Sequence, residues 1–157
     1  MLSQQNPIYL QRNFEPTNIK IGGAKSKTLT FDYSICRYCN NTRTQPYDKA
    51  WSMLSQYLRT HWDDIRRRGR FDLSKAFPGG TRAAALNVHL YFVKVLGCKL
   101  VEDKIKVELG PFSRALMERA AHPEVSLLIA DDPVGEGKIL FFESFALNKQ
   151  RNLHLLP

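Results

Sequence analysis

Cysteine is scarce, at 3 residues in 157, and the odd number argues against a self-contained disulfide framework. No uninterrupted apolar run approaches the roughly 18 residues that cross a bilayer, and the N-terminal MLSQQNPIYLQRNF lacks the charged-then-apolar plan of a secretory signal. The cytoplasm is therefore the expected address, and a membrane is not an expected partner. Histidine does not occur before His61. There is no internal repeat and no low-complexity segment. What is present suffices for one domain with a true core: 43% of residues are hydrophobic, and a chain of this size buries roughly 70% of the surface it exposes when unfolded.

Acidic residues are thin in one half only. Met1–Arg82 carries 14 Lys and Arg against 6 Asp and Glu, a net +8, whereas Ala83–Pro157 carries 9 against 9. An excess confined to one segment suggests a surface that faces an anion such as nucleic acid, with DNA ahead of RNA.

Alternation of apolar and polar residues predicts short strands at 8–11 (IYLQ), 18–23 (NIKIGG) and 29–35 (LTFDYSI), the last two joined through GGAKSK. Pro46 suits a first helical turn. Trp51, Leu54, Leu58 and Ile65, with Trp62, then fall on one face of a helix running to about Arg68 and stopped by Gly69. FDLSKAFPGGTR reads as a loop between a basic segment, 1–70, and a helix-and-hairpin portion, 71–157, packed together as one domain. AAALNVHLYFVKVLGCKL is apolar nearly all round, as a central helix is. KIKVEL is a short strand or extended connector, Gly110 and Pro111 open a third helix with Phe112, Leu116 and Met117 inward, and VSLLIAD and ILFFESFAL form a hairpin about DPVGEGK. The fold class expected is α+β: short N-terminal strands and a cysteine turn leading into a long amphipathic helix, then a buried helix, a shorter helix and a C-terminal β-hairpin.

Chemistry concentrates in CRYCNNTRTQPYDKAW, 36–51. Cys36 and Cys39, at a strand-to-helix junction, offer two of the four ligands that tetrahedral zinc takes. Cys98, in the apolar helix, reads as a buried small hydrophobe. His61, His89, His122 and His154 stand singly, as satisfied core or surface residues do. A second feature is the run Arg66, Arg67, Arg68 and Arg70, with Arg59 and Lys75. Cations there complement the partial negative charge of a helix C-terminus, or they contact phosphates. No helix-turn-helix or other base-reading module accompanies them, so backbone contact is the expected mode.

Across roughly 29–62 the residues resemble HNH-type endonucleases, and most closely a bacterial and phage-like variety with Cys-x-x-Cys-Asn-Asn-x-Arg-Thr-Gln-Pro. The resemblance implies a ββα-metal motif that hydrolyses phosphodiesters. It implies that Cys36 and Cys39 hold half of a structural zinc, that Asn40 ligates a catalytic magnesium or other divalent ion, and that Arg43 is the basic residue beyond it. The family's histidine, its earlier cysteine pair and its middle asparagine lie upstream, where this chain has Phe31, Asp32 and Tyr33. The resemblance thus implies the later part of a longer nuclease or a non-cleaving descendant, a truncated or inactive form in either case. Two other readings stand beside it. One is a non-enzymatic binding module, for nucleic acid or protein, in which Cys-Arg-Tyr-Cys-Asn-Asn caps a helix. The other is a thiol redox protein, which requires a βαβ context with the pair opening a helix beside a partly exposed sulfur, a setting that Tyr38 and the following asparagines do not argue for.

Overall fold

The computed structural model describes residues 35–127, together with the backbone of 8–10 and 19–21. These residues are mostly helical, which overturns the α+β expectation. Strand structure among them comes down to β1 (Ile8–Leu10) and β2 (Ile19–Ile21), paired antiparallel with Ile8 opposite Ile21. The hairpin anticipated between 18–23 and 29–35, and the C-terminal hairpin, fall outside the described residues. Residues 105–109, expected as a short strand or extended connector, are a connector between two helices without strand pairing, entered at Lys104 with φ 55° and left at Leu109 in a helical conformation.

Four helices follow: α1 (Gln45–Arg68), α2 (Leu73–Ala76), α3 (Thr81–Glu102) and α4 (Gly110–Glu118). Pro46 sits in the first turn of α1, where its missing N–H has no intrahelical partner to lose. Tyr47, Ala50, Leu54, Leu58 and Ile65 form the buried stripe. Gly69 closes the helix at φ 64°, a left-handed conformation that a side chain would strain. α2 arises where a plain loop was anticipated, because Asp72 caps it by accepting a hydrogen bond from the Ser74 N–H at 2.9 Å.

α3 is the central element. By length and composition it would pass as membrane-spanning, since Asn87, His89 and Lys94 barely interrupt its apolar run. Here its surface packs against α1, α2 and α4. One core cluster joins Tyr47 to Leu90, Val93, Leu96, Phe112 and Val125. The other joins Leu54, Leu58 and Ile65 of α1 to Ala76, Phe77, Val88 and Phe92. Among the described residues, α1 therefore shares its core with α2, α3 and α4. α4 presses on α3 where Gly97 leaves room, for a Cβ there would meet the Phe112 ring at 3.3 Å. Met117, anticipated to face inward, is 56% exposed.

The start and the end of α1 are thus fixed to one body. A helix of 24 residues separates them by about 36 Å at 1.5 Å per residue.

Candidate functional site

The cysteine pair does not sit on an open turn. Arg37 and Tyr38 are already helical, and Cys39–Arg43 forms a π-helical turn closed by the Thr44 N–H on the Cys39 carbonyl at 3.0 Å. Cys36 stands at the head of this turn. Its carbonyl accepts from the Asn40 N–H at 2.9 Å, and its sulfur accepts from the Cys39 N–H at 3.3 Å. Cys36 thus serves as a helix N-cap made of sulfur, the role usually taken by a hydroxyl or carboxylate.

These contacts separate the two thiols chemically. The N–H of Cys39 and the nearby Arg43 guanidinium both favour the Cys36 thiolate, and Cys36 ionises below the ordinary thiol range. The neighbouring Cys36 sulfur, and partial burial, push Cys39 the other way. Cys36 is exposed, Cys39 is half-buried, and Cys98 is buried as its apolar setting predicted.

Below the pair lies a cavity of about 150 Å³, lined among others by Cys39, Arg43, Lys94, Cys98, Phe112 and Met117. It is smaller than the roughly 300 Å³ at which pockets for drug-sized molecules begin. Its polar groups are engaged within the protein. Arg43 donates to the Met117 sulfur. Lys94, 8% exposed, donates to the Thr44 hydroxyl at 3.3 Å and to the Asp48 carboxylate. The Thr44 hydroxyl in turn donates to the Asn40 carbonyl at 3.1 Å. Sequence reasoning missed this Lys94–Asp48–Thr44 knot, which ties α3 to the first turn of α1. Its signal was present, as a lone lysine inside an apolar helix and an aspartate in the first turn of another.

Asn40 is exposed beside the pair. The zinc implied by the HNH resemblance takes four ligands. Cys36 and Cys39 supply two, no group of three or more His, Cys, Asp or Glu converges among the described residues, and residues 1–35 contain neither cysteine nor histidine. The described residues therefore do not fit a closed zinc site, and the same lack of converging ligands leaves Asn40 without a partner set for a divalent ion. Nor, among the described residues, does a histidine join this turn to activate water. His61 lies on α1 four turns beyond the motif, stacked on Tyr57 and hydrogen-bonded through Nδ1 to the Tyr57 carbonyl. His89 and His122 form a separate pair, in which the His122 N–H donates to His89 Nε2 at 3.0 Å and the Glu124 N–H donates to His122 Nδ1 at 3.2 Å. Burial holds both imidazoles below their usual range.

The arginine cluster occupies the far end of α1. Arg66, Arg67, Arg68 and Arg70 are exposed, as is Lys75. Asp64 receives Arg67 at 2.6 Å and Arg68 at 3.1 Å, and the hydrogen bond from Arg67 holds its carboxyl below the usual range. The left-handed turn at Gly69 carries Arg70 off the helix axis and spreads the cations over two directions. The structure thus brings Cys36, Cys39, Asn40 and Arg43 together at one end of α1 and Arg66, Arg67, Arg68 and Arg70 together at the other, but not the two groups with each other. No family model matches this chain, and neither a curated protein nor a solved structure matches it.

Proposed function

We propose that this chain is a nucleic-acid-binding protein of HNH-type ancestry that holds the phosphate backbone of duplex DNA on the arginine-bearing end of α1 and does not cleave it alone. One observation carries the reading: four exposed arginines and Lys75 cluster at a helix end that Ile65, Ala76 and Phe77 anchor to the core. A rigid cationic surface loses little conformational freedom on meeting phosphates, and planar guanidinium groups engage them through paired N–H donors. Asp64 already occupies part of Arg67 and Arg68, so two to three phosphate contacts are expected rather than four. Such contacts position a duplex without reading its bases.

The non-cleaving part rests on chemistry. Hydrolysis of a phosphodiester needs an activated water and a cation beside the scissile phosphate, and Asn40 is joined by neither an imidazole nor a carboxylate cluster among the described residues.

Fluorescence anisotropy with a labelled duplex tests the binding. Kd is expected to rise roughly tenfold to fortyfold between 50 and 200 mM salt, from a slope of about 0.9 per phosphate contacted. Absence of binding at low salt, or binding indifferent to salt, would contradict the proposal. A plasmid incubated with the protein and magnesium or manganese is expected to remain supercoiled, and cleavage abolished by Asn40→Ala would refute the non-cleaving part.

A further inference from the structure

The sulfur-capped turn has a chemistry of its own, independent of the arginine end. In a closed zinc site both thiolates would be turned toward a shared ion and matched by two more ligands. Here they differ in exposure, Cys36 facing solvent and Cys39 half-buried, and the Cys39 N–H donates to the Cys36 sulfur at 3.3 Å. The helical hydrogen bond from the Asn40 N–H to the Cys36 carbonyl holds positions 36 and 39 one turn apart. That spacing lies within the roughly 4.4–6.8 Å between Cα atoms that a disulfide spans.

We propose that Cys36 and Cys39 are a redox-active dithiol that exchanges with low-molecular-weight disulfides, with Cys36 as the attacking sulfur and Cys39 as the resolving one. Glutathione disulfide serves as the probe. The Cys36 thiolate attacks one of its sulfurs, forming a Cys36–glutathione bond and expelling one glutathione thiolate. The Cys39 sulfur gives up its proton and attacks the Cys36 sulfur, forming the Cys36–Cys39 bond and expelling the second glutathione thiolate. The two protein thiols lose two electrons, the small disulfide gains two, and the two thiol protons end on the two glutathiones. Cys36 is the attacking member because it alone of the three cysteines is exposed and because the Cys39 N–H, 3.3 Å from its sulfur, stabilises its charge. Cys98, buried at 6% exposure, is an internal control for accessibility.

The test is intact-mass and peptide mapping of the folded full chain after exposure to glutathione disulfide and acid quenching. The wild-type protein is expected to end with a Cys36–Cys39 disulfide and an unmodified Cys98. Cys39→Ser is expected to accumulate the Cys36–glutathione adduct. Cys36→Ser is expected to slow the first reaction at least about tenfold, with the serine hydroxyl preserving the helix cap and the circular dichroism spectrum unchanged. Cys36→Ser reacting as fast as wild type, wild type stopping at the mixed disulfide, or purified protein carrying stoichiometric zinc that shields both thiols would each overturn the assignment. None of these readouts involves nucleic acid, so their failure and the failure of DNA binding are separate results.

Discussion

The two ends of α1 use polar residues in opposite ways. At the N-terminal end polar groups are turned into the protein: Lys94 reaches Asp48 and Thr44, Thr44 reaches Asn40, Arg43 reaches Met117, and Tyr47 donates from its hydroxyl to the Leu116 carbonyl at 3.1 Å. Cys36, Arg37, Tyr38, Asn40 and Lys49 are left to solvent there. At the C-terminal end the helix gives its apolar side to the core and sends its arginines outward, with Arg67 and Arg68 paired to Asp64. Charge count cannot distinguish the ends, since both carry arginine. What separates them is density: the N-terminal end engages Arg43 and Lys94 within the fold and exposes Arg37 and Lys49 singly, whereas the C-terminal end exposes Arg66, Arg67, Arg68 and Arg70 together. A satisfied cation supports architecture, and an exposed cluster supports binding to an external anion.

The largest expected effect concerns what each end rests on. Tyr47 is fully buried and hydrogen-bonded across to α4, whereas Ile65 retains 9% exposure at the helix end. Chemical denaturation is expected to show Tyr47→Ala costing about 3–5 kcal/mol and Ile65→Ala about 2–3 kcal/mol. Equal losses would erase the contrast between a knotted end and a leaning one.

Acid should weaken the body that carries the N-terminal end. Burial depresses His89 and His122, with their mutual repulsion adding to the effect on His89. An unfolded chain then binds protons that the folded one refuses, so unfolding is favoured as pH falls below the ordinary imidazole value of about 6.5. Above that value neither state is protonated and the effect is gone. Tm is expected to drop progressively from pH 7 to pH 5, and His122→Gln is expected to flatten the slope. The carboxyls of Asp64 and Asp72, held low in the folded state, add a loss only at more acidic pH. A wild-type Tm that is level from pH 7 to 5 would contradict the buried neutral pair.

The smallest effect sharpens the other end. Asp64→Asn releases Arg67 and Arg68 and removes a negative charge from the arginine cluster. DNA affinity is expected to rise about two- to threefold, with little change in stability because the pair is surface-exposed. Weaker binding in this variant would mean that Asp64 orients the arginines rather than competing for them.

Much of this was legible in the sequence where one element suffices to decide the matter. The spacing of Leu54, Leu58 and Ile65 and the stop at Gly69 gave α1 its extent, and the nearly all-round apolarity of 83–100 placed α3 at the centre. Alternation alone left 104–109 open between a strand and a connector, and the structure makes it a connector between helices, since alternation records two-sided exposure and not the presence of a pairing strand. Asp72 with Ser74 is a capping signal, and it turned a supposed loop into α2. The Lys94–Asp48 pair and the His89–His122 pair join positions 46 and 33 residues apart, and no periodicity within one helix encodes such meetings. The cysteine turn was legible as a motif. That Cys36 caps its own helix depends on backbone geometry that spacing alone does not fix.

The central claim is that external anions meet one end of α1 and not the other. The most direct measurement is the slope of log Kd against log salt for a duplex, taken on wild type, on the Arg66, Arg67, Arg68 and Arg70 quadruple alanine variant, and on the Cys36 and Cys39 double serine variant. The account expects the alanine variant to lose about two units of slope and most of its affinity, and the serine variant to match wild type. An unchanged slope in the alanine variant, or lost binding in the serine variant, would contradict it.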